Sequence, residues 1–437
     1  MRLDRITLLR PNMGNYRSTD ALPPMSMSIL AALTPKDIEI SFYDDKLEVI
    51  PEDDHPDLVA ISVETFTARR AYELAERYRA IGIPIIMGGY HPSFLPDEAL
   101  QHADAIVIGD AEGVWETVLA DARNDCLKKI YQGGNQIGLE NFAVDKSIFS
   151  GKKYMPVEPV QYSRGCRFTC DFCSIHAFYQ KSLRIRPLDN LVAELETLNR
   201  RKLVFFVDDN LFSSRHDLEA LLKALQPLGL RWSCQISIDI ARDEDLLDRM
   251  AQAGCMFVLI GFESLSDANL KQMGKPWNQV AGDYRQVVAK LHQRGIAVYG
   301  TFVFGYDDDT LDLIDRSLEF AIESRLEIAN FNPLTPTPAS PLYERLLGEG
   351  RLLSKHWWLD PNYRYGDPIF RPMKMEPEQF AQKCFDVKKA FYSWRSISTR
   401  VLGSDAGIHP FRTGIVGLAN VISRREVYRK QYRSLGA

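Results

Sequence analysis

Short apolar runs alternate with helix-spaced patterns along most of this chain, in two separate series. A strand followed by a helix and another strand calls for parallel pairing, because the helix must cross over the sheet and cover it. In the first series the strands are Ile6 to Leu9, Ile38 to Tyr43, Leu58 to Val63, Pro84 to Met87 and Ala105 to Ile108, with helical patterns at Met25 to Leu33, Thr67 to Ile81 and Val114 to Ala122. They predict an α/β, doubly wound parallel sheet. In the second series the strands are Val157 to Tyr162, Leu203 to Val207, Arg231 to Ser237, Met256 to Phe262, Val298 to Phe304 and Glu327 to Pro333. Its helices are Leu188 to Asn199, Leu218 to Leu225, Glu244 to Ala253, Val280 to Arg294 and Leu311 to Ser324. Six βα units fall short of the eight of a closed barrel.

A chain of 437 residues is too long for one ordinary core. The reading divides it into residues 1–125, a polar connector over 126–155, a barrel over 156–335 and a mainly helical extension over 336–437. The formal net charge of −5 gives no general reason to expect a nucleic-acid partner. No apolar run is long enough to span a bilayer, and the first residues lack a signal-peptide core. Seven cysteines without a regular disulfide pattern fit a reducing, cytoplasmic compartment.

The chemistry concentrates after the first barrel strand, in Ser163-Arg164-Gly165-Cys166-Arg167-Phe168-Thr169-Cys170-Asp171-Phe172-Cys173. Three thiolates, Cys166, Cys170 and Cys173, can hold an iron–sulfur cluster and leave one iron for a non-protein ligand. The plain alternatives are a zinc site with His176 as fourth ligand, or three structural cysteines. Cys126, Cys234, Cys255 and Cys384 are scattered singly and form no second such set.

This loop resembles the cluster motif of the radical S-adenosylmethionine (SAM) superfamily, and the whole chain resembles its cobalamin-binding-domain subgroup, which is rich in methyltransferases. Val207-Asp208-Asp209-Asn210, Gly261-Phe262-Glu263-Ser264 and Gly300-Thr301-Phe302-Val303-Phe304-Gly305 continue the likeness in order. The resemblance implies a cobalamin-binding Rossmann-like domain followed by a partial (βα)6 barrel. It further implies a 4Fe-4S cluster on Cys166, Cys170 and Cys173, with SAM chelating the open iron. Reductive cleavage of SAM to a 5′-deoxyadenosyl radical would then allow methylation, with cobalamin, of an unactivated carbon in a small-molecule or lipid-like substrate. One alternative is ring formation, rearrangement or oxidation without methyl transfer; another is a non-catalytic iron–sulfur or corrinoid sensor. A flavodoxin- or ferredoxin-type protein would supply electrons.

Barrel chemistry sits at strand C-terminal ends, so Phe172, Asp208, Gln235, Ser237, Glu263 and Phe304 are the expected SAM contacts. Glu263 ends an apolar strand, where a carboxylate needs a partner: the amino group or ribose of SAM, or a nearby lysine. Ligands of an open α/β sheet lie beyond the strand ends at a switch in strand order. The expected cobalamin contacts are therefore Ser62, Glu64 and Thr65, then Gly88, Gly89, Tyr90 and His91, then Gly109 and Glu112. His91 in its turn is as readily a capping residue as a cofactor contact. The Asp-x-His-x-x-Gly loop with which many cobalamin-binding proteins ligate cobalt is absent; the segment after the second strand reads Tyr43-Asp44-Asp45-Lys46-Leu47-Glu48-Val49-Ile50.

Trp357, Trp358 and Tyr363 to Tyr365 either line a substrate entrance or pack inward. The tail turns basic, with Arg424, Arg425, Arg429, Lys430 and Arg433 following the apolar stretch Ile415 to Ile422. This is expected to be either a peripheral membrane contact or a helix packed on the barrel.

Overall fold

The structure, a computed structural model, describes residues 3–134, 138–212, 214–280, 283–402 and 409–436. It contains two six-stranded parallel sheets. The first is built from β1 (Arg5–Arg10), β2 (Glu39–Asp44), β3 (Leu58–Ser62), β4 (Ile85–Gly88), β5 (Ala105–Gly109) and β6 (Ile130–Gly134). Their order is β2-β1-β3-β4-β5-β6, so the winding reverses between β1 and β3. Leu58 to Ile61 are fully or nearly fully buried, as a strand covered by helices on both faces requires. One strand goes beyond the five expected: β6 lies within the stretch read as connector. Its residues alternate between exposed and buried, with Tyr131 inward and Gln132 outward, as befits a half-covered edge.

The second sheet comprises β7 (Val157–Val160), β10 (Leu203–Phe206), β11 (Trp232–Ile236), β12 (Cys255–Glu263), β13 (Ala297–Phe304) and β14 (Ile328–Pro333), paired in sequential order. β7 and β14 do not pair, which leaves the barrel partial. A small antiparallel hairpin, β8 (Ser163–Gly165) with β9 (Leu183–Ile185), brackets the three-cysteine loop and was not expected. The helix expected over 280–294 is found as Tyr284–Gln293, and residues 281–282 of that reading lie outside the described residues.

The C-terminal region ties the two sheets together. In helix Pro410–Lys430, Val416 packs with Leu203, Phe257 and Ala297, near the N-terminal ends of barrel strands. Arg424 donates to the Tyr392 carbonyl and Lys430 pairs with Asp20, so part of the basic run is spent inside the protein while Arg425 stays exposed. Trp357 and Trp358 are buried, and the Trp358 indole donates to Glu98 of the N-terminal domain; they pack rather than line an entrance. No helix among the described residues is long and apolar enough to cross a membrane.

Candidate functional site

The three-cysteine loop is held at both ends by buried groups. Asp208, just beyond β10, accepts hydrogen bonds from the Tyr162 and Ser163 backbone N–H groups and from the Ser163 hydroxyl. Asp209 accepts the Gly165 N–H at 2.8 Å. Burial pushes the Asp208 carboxyl up to about 7 and that of Asp209 up to about 6, against the hydrogen bonds that favour the charged forms. Gly165 has a φ of 91°, and a side chain there would collide with the Ser182 carbonyl of β9's approach, so only glycine closes the hairpin beside Cys166. On the far side, Phe168 stacks on Trp277 with centroids 3.9 Å apart, and the Asp171 carboxylate accepts the Tyr306 hydroxyl.

Cys166, Cys170 and Cys173 are unpaired and partly buried, near enough to raise one another's pKa. Burial lifts all three thiols, Cys170 to about 12, while the Lys275 ammonium opposes this at Cys170. Thiols so desolvated become thiolates only beside a strong positive charge, which iron supplies. Among the described residues no group of three or more His, Cys, Asp or Glu is gathered closely enough for a single metal ion. Three thiols alone suit a cluster with one open iron better than a structural zinc site, which takes four protein ligands. His176 keeps a buried Nδ1 without a hydrogen-bond partner.

Glu263 ends β12 with a φ of 62°, a left-handed conformation that a non-glycine residue adopts at a cost. Its carboxylate pairs with Lys275 Nζ at 2.8 Å, and both side chains are nearly buried. A side chain at Gly261 would strike this pair. Lys275, which sequence reading missed, thus joins Glu263 to the cysteines; its amine is raised overall by Glu263, Cys170 and Cys173 against burial. Gln235 donates to the Asp209 carbonyl and Ser237 accepts from Asn210, so both stand in the same row of strand ends. Phe172 is partly buried, edge-on to Tyr306. Phe304 is different. It stacks with Phe331 and Phe302 in the core and does not reach the site; its parity along β13 puts it with Phe302, facing the helices.

Beyond the C-terminal ends of the first sheet lies a cavity of 450 Å³ whose other wall is the barrel. Of the expected cofactor contacts, Ser62, Glu64, Gly88, Gly89, Tyr90, Gly109 and Glu112 line it. Thr65 and His91 do not. His91 is fully buried, its Nε2 set between the Tyr72 hydroxyl at 3.1 Å and Glu98 at 2.9 Å, in the network that also receives Trp358. Thr65 faces the other ring nitrogen at 3.4 Å. Gly89 has a φ of 101°, and a Cβ there would lie 2.9 Å from the Val63 carbonyl oxygen. The barrel supplies Gln161, Arg164, Phe178, Tyr179 and Asp209.

A charged clasp crosses between the walls. Arg164 pairs with Asp110 at 3.1 Å and Glu112 at 2.7 Å, and Arg184 pairs with Asp110 at 2.6 Å. The Tyr179 hydroxyl donates to the other Asp110 oxygen at 3.1 Å. The loop after β5 is thereby fixed to the hairpin that carries the cysteines. Of these residues only Glu112 was singled out from the sequence. A cavity of this size, glycine-lined on one wall and aromatic on the other, fits a large planar cofactor set against the cysteine loop.

Comparison with known proteins gives the same picture. The radical SAM superfamily model matches residues 160–321, and the B12 binding domain model matches residues 20–119. Bacteriochlorophyllide d C-12(1)-methyltransferase of Chlorobaculum tepidum is 31% identical over 393 residues, covering 87% of this chain and 85% of that protein. The C-8(2)-methyltransferase of the same organism is 26% identical over 427 residues, 94% of each. The structure of the radical S-adenosylmethionine methyltransferase TsrM from Kitasatospora setae, with cobalamin and a 4Fe-4S cluster bound, superimposes with a TM-score of 0.66 at 14% identity, covering 98% of this chain and 99% of that one.

Proposed function

Because the chain belongs to the radical SAM superfamily, in the subgroup that joins the barrel to a cobalamin-binding domain, we propose that it methylates an unactivated carbon of a cyclic tetrapyrrole, a lipid-like small molecule. The observation that carries the substrate class is the 31% identity to a bacteriochlorophyllide methyltransferase along 85% of that protein.

Cys166, Cys170 and Cys173 would hold the cluster, and Glu263, with Gln235 and Ser237 in the same row, would face SAM. Ser62, Glu64, Gly88 to Tyr90, Gly109 and Glu112 would hold the corrinoid. When bound, the cluster supplies the electron for reductive cleavage of SAM and the corrinoid supplies the methyl group. The chain's own residues set distances and exclude water. Asp208 and Asp209 fix the backbone leading into the cysteine loop. Lys275 holds Glu263 in a strained conformation that turns its carboxylate at the strand end. Phe178 and Tyr179 give the barrel wall an apolar surface that keeps water from reactive carbon. Electrons would come from a flavodoxin- or ferredoxin-type donor, and the exposed Leu418, Val421 and Arg425 on the last helix would meet a membrane that stores an apolar substrate.

The test is anaerobic turnover of cluster-reconstituted, cobalamin-loaded protein with methyl-labelled SAM and a bacteriochlorophyllide. Labelled product is expected with S-adenosylhomocysteine and 5′-deoxyadenosine in equal amounts, and Cys166→Ala should abolish all three. 5′-Deoxyadenosine with an unmethylated product would replace methyl transfer by ring formation or oxidation. No SAM cleavage at all would leave the sensor reading.

A further inference from the structure

Of the cations that line the cavity, one has no direct partner among the described residues. Lys46, in the loop after β2, lines the wall, and among the described residues its amine makes no hydrogen bond or ion pair. The two carboxylates that precede it are occupied: Asp45 pairs with Arg70 at 2.9 Å, and Asp44 accepts from Arg10 at 3.1 Å, from the Tyr154 hydroxyl at 2.8 Å and from the Lys46 backbone N–H at 3.0 Å. The Lys46 carbonyl in turn accepts the Ser18 N–H at 2.7 Å, so the loop is fixed at both peptide groups and the side chain alone is uncommitted. A desolvated ammonium without a counter-ion is costly, and sites retain one where a ligand supplies the charge.

Apart from Glu64, the other charged groups of the lining are engaged, Arg164 with Asp110 and Glu112, Arg10 with Asp44, and Asp209 with the Gly165 N–H, while Ile29, Leu30, Ala60, Ile86, Val107 and Trp115 form an apolar recess between the first sheet and its helices. A bound group must therefore be apolar over much of its surface and anionic at one point. Cobalamin meets this in only one way. Its ring side chains are neutral amides and its metal is cationic, so the phosphodiester of its nucleotide loop is the single anion it can offer an ammonium. We propose that Lys46 is the anchor for that phosphodiester, making the site selective for corrinoids that carry a nucleotide loop. This rests on the corrinoid reading of the cavity. Burial, reinforced by Arg10, lowers the Lys46 pKa, with Glu64 and Asp44 opposing; a phosphodiester beside it would reverse that balance.

The test is equilibrium binding of cobalamin and of cobinamide, which lacks the nucleotide loop, to the cluster-reconstituted full chain and its Lys46→Met and Lys46→Arg variants. Unchanged iron content reports that the barrel is intact. Lys46→Met should weaken cobalamin about tenfold, equivalent to about 1.4 kcal/mol, and leave cobinamide unaffected, with Lys46→Arg restoring most of the loss. Equal weakening of both corrinoids, or of neither, would refute the phosphodiester contact while leaving the corrinoid site standing. Wild-type protein that binds neither would overturn the corrinoid reading itself.

Discussion

Replacing Arg164 by Met and Asp110 by Asn, singly and together, tests whether the clasp joins the two walls of the cavity. The Arg164 side chain is 7% exposed and Asp110 8%, so their attraction is little screened by water. Removing one member of a buried, hydrogen-bonded pair typically costs about 3–5 kcal/mol, because the other charge stays buried. Arg164→Met leaves Asp110 with Arg184 at 2.6 Å and the Tyr179 hydroxyl, which places its cost near the low end, about 3 kcal/mol. Asp110→Asn leaves Arg164 with Glu112 at 2.7 Å and should cost about the same. Both singles break one shared contact, so the double variant should cost about 4 kcal/mol rather than about 6, a coupling of about 2 kcal/mol. Urea unfolding of the four proteins, compared at equal slope, measures it. The coupling should survive about 1 M salt, where the Debye length shrinks to about 3 Å; the exposed Arg285–Glu323 pair, worth about 0.5 kcal/mol, should vanish there. Additivity within about 0.5 kcal/mol would refute the clasp as an energetic link. A real clasp carries a functional signature as well: Arg164→Met should raise the ratio of 5′-deoxyadenosine to methylated product.

Lys275→Met should destabilise the protein by about 3 kcal/mol by stranding the Glu263 carboxylate, and adding Glu263→Gln should recover much of that loss in urea unfolding. Asp309 accepts the Gly305 and Tyr306 N–H groups, and burial raises its carboxyl to about 7. A raised acid is more protonated folded than unfolded, so its contribution to stability is complete below about pH 4 and is lost as pH rises through about 7. The stability difference between wild type and Asp309→Asn should thus fall by up to about 1.4 kcal/mol per pH unit across that window, and unfolding from pH 5 to 8 should show it. A flat difference would mean that the carboxyl stays ionised when folded.

The strands plainest in the sequence are those buried on both faces, such as Leu58 to Ile61, because burial forces a continuous apolar run. β6 was missed for the opposite reason: an edge with Ile130, Gln132 and Gly134 exposed carries too little apolar content to stand out. The hairpin around the cysteines was hidden because the whole stretch from Cys166 to Ser182, the loop and a helix, lies between its strands, with Ser163 opposite Ile185. Phe304 shows a signal that was available and unused. Val298, Gly300, Phe302 and Phe304 share one strand face and are all buried, whereas Tyr299, Thr301 and Val303 share the other. Arg184, Tyr179 and Lys275 lacked any local signal, since their roles come from contacts with residues such as Asp110 and Glu263 that only the folded chain brings near.

These contacts explain why one chain needs its long C-terminal region. The barrel and the first sheet meet at the clasp on the cavity side, but a joint at one edge is a hinge. The tail supplies further joints away from it. Trp358 donates to Glu98, Lys430 pairs with Asp20, and Glu426 accepts the Thr19 hydroxyl at 2.6 Å. Gly436 donates its N–H to the Met13 carbonyl. Each links the tail to the N-terminal domain, while Val416 packs on barrel residues and Arg400 and Asn420 both donate to the Glu327 carbonyl just before β14. His91 belongs to this bracing, through Glu98, rather than to the cavity. Radical chemistry across a two-domain gap requires both walls to hold their spacing when substrate enters, and attachments away from the clasp remove the rotations that a single clasp would allow.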